Sequence, residues 1–314
     1  MVTLVLRRLL SAIPLLLIVS LGAFSLVALL PGDQAMAIAG EHATPEQLAA
    51  LRQQLRLDDP FLVRYAHWLG GILQGDLGDS LVTGRAISDE ILRRAPLTAS
   101  IALGTLVVVL LIGVPTGILQ GVYAGRAVDR IGLLGSAAGL AVPNFWLATM
   151  LITIFAVQLR WLPATGYTPL SEGVLPWAQH LIMPSITLGV FTAAEMARQL
   201  RTGFLHAYAQ PYIRTAWSKG LPARTVIGKH ALKNAAAPAI TVLGIRLGHL
   251  LSGAVIVESI FGMPGLGKFA IDAILNRDFT VVQAVVLVSA VVVLTANLLV
   301  DIAYGLLNPK VRIS

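Results

Sequence analysis

The chain of 314 residues has no cysteine, which excludes disulfides, thiolate metal sites and thiol nucleophiles. Charge is scarce as well. Only 12% of residues are Asp, Glu, Lys or Arg, against about one-quarter in soluble domains. Neither H-E-x-x-H nor G-x-S-x-G occurs, so a membrane enzyme would lack a reactive cluster. The six histidines, His42, His67, His180, His206, His230 and His249, are scattered, which argues against a single metal site. Apolar residues do not alternate with period two over barrel-strand lengths, so helices are the better way to satisfy the backbone in lipid. There is no convincing internal repeat, and few acids beyond Glu195 and Asp301 lie in apolar segments. A stand-alone ion-driven transporter generally needs intramembrane acids and often shows repeats.

What is abundant is apolar sequence: 56% of residues are hydrophobic and the mean hydropathy is +0.78. A membrane helix needs about 20 mainly apolar residues to cross a core of about 30 Å. The sequence supplies such runs near Leu9–Leu30, Leu97–Gly121, Ile131–Val157, Leu181–Arg198, Ala235–Ile260 and Val281–Leu307. The expectation is an all-α integral membrane protein with six transmembrane helices. The net charge of +7 is accounted for by its distribution, without invoking nucleic acid. With the N-terminus inside, the inner segments carry Arg7, Arg8, Arg126, Arg130, Arg198, Arg201, Arg214, Lys219, Arg224, Lys229, Lys233, Lys310 and Arg312. Most acids, from Asp33 to Glu90, fall outside. This positive-inside bias places both termini in the cytoplasm. Ala35-Met36-Ala37 has the look of a signal-peptidase site, but the preceding apolar run is too long for a signal core, so a retained first helix is expected.

Two polar segments interrupt the apolar sequence. The outer one, between the first two spans, carries Thr44-Pro45-Glu46, which reads as N-cap, first-turn proline and first-turn acid. Phe61, Tyr65, Trp68, Leu69, Ile72 and Leu73 then recur at helical spacing. That stripe fits a short helix on the membrane or on its neighbours, or a surface that receives substrate from an outer partner. Gly75-Asp76-Leu77-Gly78 and Gly84 punctuate the loop before an amphipathic stretch, Ile87 to Arg94.

The inner segment, Ala207 to Pro238, is basic and helix-forming. Tyr212 to Lys219 predicts a short helix that Gly220 ends in the left-handed conformation, and Pro222 is well placed to start another. On that second helix Val226, Ile227, His230 and Ala231 share one side, away from Arg224, Lys229 and Lys233. From these residues alone, both a docking surface for a soluble partner and a loop that anchors lipid headgroups are open. Gly262-Met263-Pro264-Gly265-Leu266-Gly267-Lys268 satisfies G-x-x-x-x-G-K, yet Phe269 stands where a magnesium-binding Ser or Thr belongs, and the topology puts it outside. A Pro-Gly turn between the last two spans is the better reading.

The residues of the inner segment resemble the permease subunits of ABC importers of the dipeptide, oligopeptide and nickel class. They are Arg198 to Arg201, Tyr212-Ile213-Arg214-Thr215-Ala216, Lys219-Gly220-Leu221, His230-Ala231-Leu232 and Asn234-Ala235. The resemblance extends over nearly the whole chain through Arg7-Arg8-Leu9, Leu30-Pro31-Gly32-Asp33, Gly75 to Gly78, Pro143-Asn144-Phe145, Leu162-Pro163, Gly166, Pro184, Phe261 to Gly267, Asn297 to Asp301 and Asn308-Pro309. It implies the type I ABC importer permease fold: a first helix within 1–30, an extracytoplasmic segment over 31–96, and a core of five helices over 97–314. The coupling loop would occupy 201–238, between the fourth and fifth spans. In this family the loop carries Glu-Ala-Ala with glycine four residues on and inserts into a groove of the ATPase. The matching positions are Arg214, Thr215, Ala216 and Gly220, so the first two depart from the general pattern. Tyr212, Lys219 and Leu221 complete the implied coupling set.

The resemblance further implies a non-catalytic subunit without a cofactor of its own, in a bacterial or archaeal cytoplasmic membrane. Its partners would be a second homologous permease, two ATPase subunits that bind ATP and magnesium, an extracytoplasmic substrate-binding protein and the bilayer. Peptides are the implied substrate, with nickel, glutathione or another small solute as alternatives.

Arg246 and His249 stand near the middle of the fifth span, at i and i+3 on one helical face. A central cation in a membrane helix normally faces a polar cavity or a partner. Two readings are open: Arg246 lines the translocation path and favours an anionic group, or it pairs with a carboxylate at the interface with the partner permease. Glu195 is expected to pair with Arg198 or Gln199. For both Glu195 and Asp301, structural pairing is favoured over a proton relay.

Overall fold

The computed structural model describes residues 2–29, 35–36, 44–54 and 56–307. Some side chains inside helices, including those of His249 and Asp301, lie outside the described set, as do the segments 30–33 and 308–309. Among the described residues all regular structure is helical, apart from an isolated antiparallel bridge between Asp79 and Ala86.

Helix α1 spans Val2–Leu29, α2 Pro45–Gln54 and α3 Phe61–Leu73. The start of α2 is the one its sequence predicts. The Gln47 amide donates to Thr44 Oγ1 at 3.3 Å and the Thr44 amide donates to Gln47 Oε1 at 3.0 Å, a reciprocal capping box. The aromatic stripe of α3 packs on α1: Phe24 meets Phe61, Tyr65 and Trp68 with ring centroids 5.4–5.6 Å apart. Ser20 Oγ and the Tyr65 hydroxyl share a hydrogen bond of 2.8 Å.

Helix α4 runs over Ile87–Val122, so the amphipathic stretch from Ile87 is continuous with the apolar span. Pro96 lies inside this helix, and a π-helical turn occupies Val109–Gly113. The third apolar run is divided into α5, Ala127–Ala141, and α6, Asn144–Gln158, with a bend of 103° between them. Pro143 causes the break, because the residue before a proline is pushed out of the α region; Val142 accordingly has φ −79° and ψ 122°. Proline does not interrupt α7, Val174–Tyr208, which continues through Pro184. Its 35 residues amount to about 52 Å of helix, well beyond one bilayer core. Then follow α8, Pro211–Ser218, α9, Leu232–Ile260, α10, Leu266–Leu275, and α11, Phe279–Leu307.

By length and composition, four helices among the described residues can cross a membrane, or five if α5 and α6 make one bent span.

The chain forms two compact units, one mainly Leu97–Gly267 and the other mainly Arg8–Pro96 with Lys268–Val292. In the first, α7 is the central post. Gly113, Gly117 and Gly121 form a four-residue repeat along α4, and a Cβ on any of them would strike Ala193, Ala197 or Phe204 of α7. Lipid offers no hydrophobic drive for helix pairing, so close approach at small residues supplies the contact. On the other side of α7 a Cβ at Gly203 would lie 2.8 Å from the Cα of Ala235 in α9. In the second unit Asp278 is buried and anchors the loop before α4. It accepts from Ser80 Oγ at 2.5 Å and from the Leu81 amide at 3.2 Å.

Candidate functional site

Helix α8 is amphipathic over two turns. Ile213 and Ala216 are buried in one apolar cluster with Phe204 and Ala207 of α7, Val226 and Ala231 of the following helical turns, and Ala235 and Ala239 of α9. Tyr212, Arg214, Thr215, Trp217 and Lys219 are exposed. The helix is seated by one face and presents the other.

Its end is a Schellman turn. The Leu221 amide donates to Ala216 O at 3.3 Å and the Gly220 amide to Trp217 O at 2.9 Å, with Gly220 at φ +70°. This pattern satisfies the last helical carbonyls and demands a left-handed residue, for which glycine has no Cβ penalty. Leu221 packs against the same apolar cluster. Pro222 is the N-cap of the next helical segment, one position before the first turn assigned to it from sequence. The sides of that segment fall as expected: Val226 and Ala231 are buried, while Arg224, Lys229 and Lys233 are exposed. Asn234 Nδ2 donates to the Tyr212 hydroxyl at 3.0 Å, which ties α8 to α9. The knob is thus a rigid corner joining the ends of two long helices.

Trp217 belongs to this surface, although sequence reasoning did not single it out. It lies four residues after Ile213, a spacing that assigns it to the inward face, yet it is 47% exposed. The available signal was that it is the sole tryptophan between Ala207 and Pro238.

A second ion-paired layer secures the same end of α7. Asp129 of α5 receives Arg201 Nε at 2.7 Å and Nη2 at 2.9 Å, and the Gly125 amide at 2.8 Å. The Asp129 side chain is only 2% exposed. A carboxylate so placed is held by the two parallel bonds of a guanidinium fork.

Arg246 sits at the midpoint of α9, about 21 Å along the axis from either end. Its partner is Glu195 of α7: Arg246 Nε donates to Glu195 Oε2 at 2.6 Å. The local pairing of Glu195 with Arg198 or Gln199 is therefore corrected. Glu195 turns toward α9, and Arg198 is exposed. The Arg246 guanidinium also lies 4.8 Å from the centroid of the Phe191 ring, within cation–π range. Arg246 thus finds a carboxylate inside its own chain. The side chain of His249, one turn along α9, is outside the described set.

The turn that imitates a phosphate loop encloses a carboxyl group of its own chain. Glu258 is fully buried. Thr98 Oγ1 donates to Glu258 Oε1 at 2.7 Å and accepts the Leu266 amide at 3.0 Å. A Cβ on Gly265 would run into the Glu258 carboxylate. The missing Cβ of Gly265 admits this internal carboxyl group.

Comparison with known proteins agrees with the resemblance. Residues 113–313 match the family described as binding-protein-dependent transport system inner membrane component, and residues 1–102 match the N-terminal region of such components. The probable peptide ABC transporter permease protein y4tP of Sinorhizobium fredii is 41% identical over 309 residues, 98% of each chain. The glutathione transport system permease protein GsiC of Salmonella typhimurium is 40% identical over 312 residues, 99% of each chain. GsiC of Escherichia coli K12 is 38% identical over the same extent.

Proposed function

The chain belongs to the binding-protein-dependent transport inner membrane components and is a multi-pass permease subunit of an ABC importer of the peptide class; from that premise we propose that it forms, with a second homologous permease, the membrane path for short peptides. In this reading α1, α4, the bent pair α5–α6, α7, α9 and α11 are six spans. Residues 1–30 hold the first helix, 31–96 the extracytoplasmic segment and 97–314 the permease core, and both termini are cytoplasmic. Permeases of this kind work with ATPase subunits and a substrate-binding protein. The proposed set here is two ATPases, which bind ATP and magnesium, and one binding protein outside.

Helix α8 is the proposed coupling helix, with Tyr212, Arg214, Thr215, Ala216, Lys219, Gly220 and Leu221 at its surface, seat and corner. The observation that carries this role is its mounting: a buried apolar face, a Schellman corner and an exposed polar face with Trp217 at its edge. When ATP closes the ATPase pair, a rigid lever passes the movement to the spans it joins, and a slack loop would absorb it. α8 connects the ends of α7 and α9, so a push on it changes their disposition directly.

The y4tP and GsiC relatives are named for peptide and glutathione transport. A glutathione importer is the second reading, and glutathione is itself a short peptide. The ligand retained by the partner binding protein, identified by mass spectrometry after purification, separates the two. For the coupling role, the complex is purified through this chain. Wild type brings down the ATPase subunits. Trp217→Ala, which removes an exposed aromatic anchor, lowers their recovery about tenfold with the second permease retained. Equal recovery of the ATPases overturns the role assigned to α8, and uptake by this chain alone in liposomes overturns the importer reading.

A further inference from the structure

The bond between Arg246 and Glu195 leaves more capacity than it uses. It is made end-on, from Arg246 Nε to Glu195 Oε2. Among the described residues neither Arg246 Nη nor Glu195 Oε1 has a hydrogen-bond partner. Arg246 is 32% and Glu195 21% exposed in this chain, so neither side chain is sealed inside it. A charge pair at mid-span that is open to this degree does not face lipid, where unsatisfied polar atoms cost several kcal/mol. It faces a polar cavity or a partner. The Phe191 ring, 4.8 Å from the Arg246 guanidinium carbon, attracts the charged group without using its Nη donors.

We propose that Glu195 and Arg246 together form a reading point for solutes carrying both a free ammonium and a carboxylate. The solute carboxylate would take the two Arg246 Nη groups, the geometry in which a guanidinium recognises carboxylate best. The solute ammonium would take Glu195 Oε1. Neither contact requires the Arg246–Glu195 bond to break, so the site is neutral before and after the solute passes. That neutrality distinguishes it from a lone arginine, which would hold an anion tightly and hinder release. It also admits a zwitterion in preference to a simple anion or cation, since each single charge finds its opposite beside a repelling neighbour. The proposal rests on the reading of this chain as a peptide-class permease with these helices along its path.

The test uses the complete importer in proteoliposomes and three probes: dialanine, N-acetyl-dialanine and dialanine amide. Uptake is measured with each probe in the external medium at concentrations that saturate the binding protein, and is normalised to complex. Wild type prefers dialanine to both blocked forms. Arg246→Gln erases the preference for the free carboxylate, and Glu195→Gln erases that for the free ammonium, each by about tenfold, the size of one charge-assisted hydrogen bond. The exchange Glu195→Arg with Arg246→Glu keeps an ion pair but reverses its direction. A purely structural pair predicts that each single variant lowers the uptake of all three probes alike and that the exchange restores it, and that result overturns the proposal. Unchanged preference in both single variants does the same. If wild type carries none of the three probes while hydrolysing ATP, the peptide reading itself falls and this inference with it.

Discussion

Two ion pairs tie α7 to its neighbours, and they are built in opposite ways. Asp129 and Arg201 meet through two parallel bonds, with a third from the Gly125 amide, and the carboxylate is 2% exposed. Glu195 and Arg246 meet through one bond, with both side chains between a fifth and a third exposed. The first pair is close to saturated and serves position. Among the described residues the second is undersaturated, with Glu195 Oε1 and the two Arg246 Nη groups to spare, as the proposed ligand site requires. An ion pair in a membrane protein can therefore be judged by the valence it leaves over, and not by its distance alone. The shorter bond of the two belongs to the pair assigned the transient role.

The largest effect expected is at the saturated pair. Arg201→Gln leaves the Asp129 carboxylate buried without its cation, and the loss is about 3–5 kcal/mol. It is read as a fall in the thermal unfolding midpoint of the purified chain. Asp129→Asn combined with Arg201→Gln should recover a substantial part of that loss, since no uncompensated charge remains. A double variant as unstable as the single one would show that the two side chains act through packing and not as a charge pair.

A smaller effect is expected from Gly203→Val. It forces a side chain into the backbone of α9 at Ala235, and overpacking of this kind costs about 1–3 kcal/mol. The variant tests whether the approach of α7 to α9, on which the Glu195–Arg246 contact depends, is set by the small residues. An unchanged midpoint would mean that the ion pair holds the helices by itself. The smallest effect belongs to Glu195→Gln, at about 1 kcal/mol or less, the range of a partly exposed pair. A loss as large as that of Arg201→Gln would erase the contrast between the two pairs and make the second structural.

Much of the helical knob around Gly220 was legible in sequence because its signals are local. Gly220 closes α8 through its own bond three residues back and the Leu221 bond five residues back, and the sides of the next segment follow from helical period. The cap at Thr44 was legible for the same reason. The start of α4 was not: Pro96 and the charges before it suggested an end to the outer segment, whereas the helix continues from Ile87. Buried contacts of Ile87, Ile91 and Leu97 outweigh the local preference against helix before proline. The extent of α7 was likewise underestimated, because its last turns are polar along one side but buried through Phe204 and Ala207 on the other.

The sequence by itself determined the class of this protein: six apolar runs, a basic segment between two of them, and the glycine corner that ends α8. These depend on composition and on spacing within a few residues, which hydropathy and backbone sterics read directly. Only the tertiary structure decided which charges meet. Glu195 chooses Arg246, 51 residues away, over Arg198 on its own helix, and Glu258 meets Thr98, 160 residues earlier. Such pairings are set by where close-packed helices cross, and the crossing depends on small residues of several segments at once.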